Sequence, residues 1–230
     1  SAWRAVDRPD FGLAIEIIAA VRDAVGPEVD VLIEGHNRFS PHTALQFADA
    51  MAPYHPTWCE APVPPQRIAQ MAEVGRRSPV PVACGEDYYT AQQFAELLAH
   101  DAVHIIQLEP QYLGITASKQ ICGMVNAHNG VTAPHSAQGP LCSLVCAHLN
   151  TATPNFFIHE IFDEFNDDWS ARILTDPVQV HDGYIELEDD RVGWGSDLNY
   201  DEIATHPYNP NNFLPLFRPG WERRKPVDQL

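Results

Sequence analysis

The sequence predicts an α/β fold: a (β/α) barrel of TIM type, incomplete in this chain, with about six βα units followed by a C-terminal hairpin and irregular segment. Three observations predict it. Short β-branched, apolar runs alternate without a break with amphipathic helical segments, the pattern of parallel βα units. Each run closes on a titratable residue, at positions 34, 60, 86, 109, 135 and 160. Those positions recur every 23 to 26 residues. So even a rhythm suits a barrel better than an open doubly wound sheet, and barrels gather reactive groups at the C-terminal ends of their strands.

The elements follow in order. Pro9 and Asp10 mark a helix start, with Asp10 as N-cap. Leu13, Ala14, Ile17, Ile18 and Val21 repeat at helical spacing, and Gly26-Pro27 stops the helix. A strand occupies 29–34. Ser40-Pro41 opens a helix by the N-cap and N1-proline rule, running to about Ala52. A short strand at 57–60, a helix at 68–74 and a strand at 80–84 come next. Thr90 caps a helix to Ala99, and a strand fills 103–107. Thr116 opens a helix to His128, before a strand at 130–133, a helix at 141–150 and a strand at 155–159. Residues 178–187 read as a hairpin around Asp182-Gly183. The tail from Tyr200 is rich in Pro, Asn and aromatic residues and is expected to be irregular. The division is a partial barrel at 1–175 and a C-terminal segment at 176–230. A closed barrel needs eight strands, so two strands are expected from upstream of Ser1 or from another chain, and a homo-oligomer is expected.

Composition narrows the function classes. A net charge of −17 argues against nucleic-acid binding and against anionic membrane surfaces. The five cysteines form no CxxC pair and are odd in number, which favours a reducing cytoplasm over a disulfide framework. No apolar run is long enough to cross a membrane. Residues 11–20 carry Glu16 and lack a basic leader, unlike a signal peptide. GxGxxG and GxxxxGK[ST] are both absent, so no phosphate-cradling loop is predicted.

The strand ends carry the chemistry. Glu34 and His36 are two apart, so an extended backbone puts them on one side. Glu34, Glu60 and Glu86 close successive strands. Three converging carboxylates repel and raise one another's pKa, and a hard divalent ion, Mg2+, resolves that with oxygen ligands. Glu109 and His135 close the next two strands. A carboxylate behind an imidazole fixes its tautomer and raises its basicity, making His135 a base. Glu160 is expected across the opening, bonding to substrate oxygens, and His36 is placed to donate a proton to a leaving hydroxyl. His159 alternates away from Glu160 and is read as structural. Cys142 and Cys146, one helical turn apart, are read as core. These parts suit removal of the proton α to a carboxylate, with the metal stabilising the enediolate. Loss of the β-hydroxyl then gives a 2-keto-3-deoxy acid.

Six segments carry a resemblance: Ile33-Glu34-Gly35-His36-Asn37-Arg38, Trp58-Cys59-Glu60-Ala61-Pro62, Ala83-Cys84-Gly85-Glu86, Leu113-Gly114-Ile115-Thr116, Ala133-Pro134-His135 and Asn155-Phe156-Phe157-Ile158-His159-Glu160. Together they resemble the barrel domain of the enolase superfamily, mandelate racemase branch. His36, two residues past the first metal acid, is similar to the histidine of galactonate-type acid-sugar dehydratases. The resemblance implies metal ligation by Glu34, Glu60 and Glu86, a His135 dyad, and Glu160 near the substrate carboxylate. It also implies a small-molecule sugar-acid substrate, and a lid domain and first two strands that this sequence lacks. Departures are Glu34 for the usual first Asp, Glu109 for the dyad Asp with one residue deleted before Gly114, and Ala61 for the second Glu of Glu-Glu-Pro. Two other readings stand beside the dehydratase: a racemase or epimerase of the same branch, and a non-catalytic barrel fragment or subunit.

Overall fold

A computed structural model describes residues 4–163, 166–188 and 190–209. The first helix, α1 (Arg8–Val25), starts a turn earlier than expected. Asp7 is its cap, its carboxylate accepting the Asp10 N–H at 2.9 Å. Pro9 sits in the first turn, where no intrahelical donor is required. Asp10 is therefore a first-turn acid that complements the helix dipole. Strand β1 (Leu32–Glu34) follows, then α2 (Pro41–Met51) under the expected Ser40 cap and a 3-10 turn at Ala52–Tyr54.

The alternation continues through β2 (Trp58–Glu60), α3 (Ile68–Arg77), β3 (Val82–Cys84), α4 (Ala91–Ala99), β4 (Ile105–Ile106), α5 (Pro110–Ala127), β5 (Val131–Thr132) and α6 (Pro140–Thr151). Thr90 and Gln93 close α4 with a reciprocal capping box. In α5 a single turn capped by Glu109 precedes Gly114, whose φ of 74° breaks the helix before its long run. The expected start at Thr116 thus lies just past that break.

All five strands are parallel and lie in chain order, β1-β2-β3-β4-β5. Glu34 pairs with Glu60, Cys59 with Val82, Cys84 with Ile106 and Ile106 with Thr132. Alternate strand residues point to opposite faces. Val82, Cys84 and Ile106 pack outward against the helices with Phe94, Leu97, Ile121 and Val125. Burying each such side chain is worth about 2 kcal/mol. Trp58, Ala83, Ile105 and Ala133 form the inner cluster. All five cysteines are buried and free.

Two expectations are corrected. The strand at 155–159 is reduced to one parallel bridge between Thr132 and Phe156. Phe156, Phe157 and Ile158 stay exposed, with no further strand beyond them among the described residues to fix an extended ladder. The tail begins in a helix rather than irregularly. After a turn, α7 (Asp168–Ala171), and the expected hairpin, β6 (Val180–His181) with β7 (Tyr184–Ile185), comes α8 (Tyr200–Thr205). Asn199 caps it, accepting the Glu202 N–H, and two acids fill its first turn. The rest of that tail, from 210, lies outside the described residues. Among the described residues no helix is long and apolar enough to cross a membrane.

Candidate active site

The C-terminal ends of β1 to β5 and the bridge segment converge on one constellation. Past Glu34 the chain turns sharply. The Gly35 N–H donates to the Glu60 carbonyl at 2.8 Å, and His36 and Asn37 take left-handed φ values of 48° and 60°. The Glu34 carboxylate accepts the His36 N–H. His36 therefore reaches the site through a left-handed turn, not through the strand alternation expected from its spacing. Its Nε2 lies 4.0 Å from Glu86 Oε1.

His135 is the hub. Its Nδ1 donates to Glu109 Oε2 at 2.7 Å, and its Nε2 lies 2.9 Å from Glu86 Oε2 and 3.9 Å from Glu160 Oε2. Glu109 is fully buried at the head of α5, and its Oε1 also accepts the Gln111 N–H at 2.9 Å. Glu160 stands beside His135 rather than across an opening, because its carboxylate accepts the Ser136 N–H at 2.9 Å. His159 is half-buried, and its Nε2 has no hydrogen-bond partner within the described residues.

The electrostatics follow from crowding. Burial and the charge of Glu60 push the Glu34 carboxyl up to about 9. The hydrogen bond from His135 holds Glu86 below the usual carboxylate range. Burial alone would lower His135, but its bonds to Glu109 and Glu86 and the charge of Glu160 outweigh it and raise the imidazole to about 11. Burial raises Glu160 and lowers His159 to about 4. As the side chains stand, no three His, Cys, Asp or Glu among the described residues form a ready metal-holding group, since Glu86 turns both oxygens toward histidines. The donor set nonetheless suits a hard divalent ion: Glu34 and Glu60 are register partners at adjacent strand ends, and burial with the charge of Glu60 raises Glu34, a repulsion that a divalent cation bound between them would relieve.

Sequence reasoning missed three contributors. Trp58 donates its indole N–H to Glu60 Oε2 at 3.2 Å; strand alternation already put both on one side. Asn37 donates to Asp87, joining the β1 and β3 loops. Cys142, read as core, is buried but also directs its thiol at Glu109 Oε1, 3.5 Å away. A cavity of about 450 Å³ lies elsewhere, between α6 and the β6–β7 hairpin, and none of these site residues borders it.

The chain is similar to known proteins in sequence and in fold. Residues 4–203 match the family described as Enolase C-terminal domain-like. A D-galactonate dehydratase family member from Oceanicola granulosus is 31% identical over 198 residues, 85% of this chain and 48% of the relative. A D-gluconate/D-galactonate dehydratase from Picrophilus torridus is 30% identical, over 76% of this chain and 44% of its own. The crystal structure of a mandelate racemase/muconate lactonizing enzyme from Sulfitobacter superimposes with a TM-score of 0.82 at 31% identity, covering 89% of this chain and 51% of that one. The chain thus spans about half the length of the curated relatives it matches.

Proposed function

Because the chain belongs to the Enolase C-terminal domain-like family, we propose that it carries the catalytic residues of a Mg2+-dependent dehydratase acting on a sugar acid. The observation that supports this most is His135 held at both nitrogens, by Glu109 at 2.7 Å and Glu86 at 2.9 Å, beside two further strand-end carboxylates. The dehydratase names of relatives near 30% identity support the substrate class.

Glu34, Glu60 and Glu86 would hold the Mg2+ ion, which supplies positive charge against the enediolate of the substrate carboxylate. Were Glu86 so engaged, His135 would keep Glu109 at Nδ1 and lose one of the three carboxylates that favour its charged form. Its Nε2 can then take the proton α to the carboxylate. Glu109 keeps the proton on Nδ1 and stabilises the imidazolium that forms. Glu160, beside His135 and bonded to the Ser136 N–H, would face the substrate carboxylate end and contact its oxygens. His36 gives a proton to the β-hydroxyl, the C–O bond breaks and water leaves. The resulting enol tautomerises to the 2-keto-3-deoxy acid.

The reading extends to the open edge of the sheet. Two further βα units and a lid domain, from a longer chain or a partner, would cover β1 and close the barrel; residues 176–230 would return toward that lid. The test is a dehydration screen of the full-length protein with Mg2+ against aldonic and aldaric acids, scoring 2-keto-3-deoxy product. One or a few substrates should turn over, and Glu86→Ala should abolish it. Deuterium exchange at the α-carbon without dehydration would replace the dehydratase with a racemase or epimerase. Silence from the intact protein would overturn both.

A further inference from the structure

We propose that Cys142 is a positioning residue for the Glu109–His135 pair, an inference that rests on reading His135 as the base. Glu109 is completely buried. A carboxylate removed from water is tolerated only when donors satisfy its oxygens. Three donors do so. His135 Nδ1 takes Oε2 at 2.7 Å, while the Gln111 N–H at 2.9 Å and the Cys142 thiol at 3.5 Å share Oε1.

The donors come from different places. Gln111 belongs to the turn that Glu109 itself caps, so it would follow any movement of that turn. Cys142 comes from the first turn of α6 and ties Oε1 to an independent element. The thiol therefore opposes rotation of the carboxylate plane, and that plane aims Oε2 at the imidazole. A thiol suits the place: it packs as a small apolar group yet carries one weak donor. Removal of its hydrogen leaves Oε1 with a single donor that moves with it.

The experiment uses the full-length protein labelled with 15N-histidine. It reads the downfield Nδ1–H resonance of His135 alongside steady-state kinetics. Cys142→Ala should broaden or shift that resonance and lower kcat about tenfold with KM unchanged, the loss typical when the group behind an orienting carboxylate is removed. Cys142→Ser, which restores a donor, should recover the resonance and most of kcat. Cys122→Ala is the control, because that thiol is buried in the helix-packing core among apolar side chains and makes no bond to Glu109. The proposal is overturned if Cys142→Ala leaves the resonance in place, or if Cys122→Ala reproduces the change. If the protein dehydrates no sugar acid, the proposed function fails, while the resonance still decides whether Cys142 orients Glu109.

Discussion

Single side chains set how firmly the candidate site is held. Trp58 tethers Glu60 through one indole N–H, so Trp58→Phe should keep the packing against Phe157 and lose only the tether. We expect Mg2+ affinity to fall about tenfold with little change in melting temperature, as measured by isothermal titration calorimetry and thermal unfolding. His159 makes a separate prediction. Its folded pKa of about 4 lies below the unfolded value of about 6.5, so the unfolded chain binds the proton first as pH falls. The contribution is therefore intact above about pH 6.5 and declines toward pH 4, by up to about 3 kcal/mol. Urea midpoints at pH 7 and pH 5 should converge when His159→Leu is compared with the parent. Much of the site was legible, because Glu34, Glu60, Glu86, Glu109 and His135 each end an apolar run. Less legible were Cys142 and the placement of Glu160, which depend on contacts between elements far apart in sequence. The turn that carries His36 was also hidden, since Asn37 alone is a residue type that favours left-handed backbone, and His36 shares that conformation.

At the level of elements, caps and close approaches decide where helices start and how near they lie. Ser40 and Thr90 were readable because side-chain capping is local. Asp7 was displaced in the reading by Asp10, since two acids flank Pro9 and only the three-dimensional bond to the Asp10 N–H separates them. The bridge at Phe156 fell short of a strand because pairing needs a neighbour that local sequence does not contain. Two glycines on helices give opposite expectations. A Cβ on Gly75 of α3 would lie 1.8 Å from the Ala102 carbonyl oxygen, so Gly75→Ala should cost at least about 2 kcal/mol as α3 is forced off its neighbour. Gly12 on α1 has nothing within 4 Å, and Gly12→Ala should stabilise by about 0.5–1 kcal/mol. Chemical denaturation of both variants checks the pair.

For the molecule as a whole, the exposed stripe on α1 is the feature to test. Leu13, Ile17, Val21 and Val25, spaced four apart, are all exposed, and Leu32 is exposed on the neighbouring strand β1. In the 230-residue chain by itself, Ile17→Lys should alter stability by less than about 0.5 kcal/mol and reduce self-association seen by light scattering. In a longer protein whose upstream units cover that stripe, the same change should cost roughly 2 kcal/mol. The order of the sheet has a kinetic consequence. Because β1 to β5 pair strictly with their successors in the chain, every ladder closes a loop of roughly two dozen residues, and closure entropy grows only with the logarithm of loop length. No pairing has to wait for a distant segment. Any adjacent strand pair can nucleate, and growth then proceeds unit by unit in both directions, so the contact order remains low for a parallel sheet.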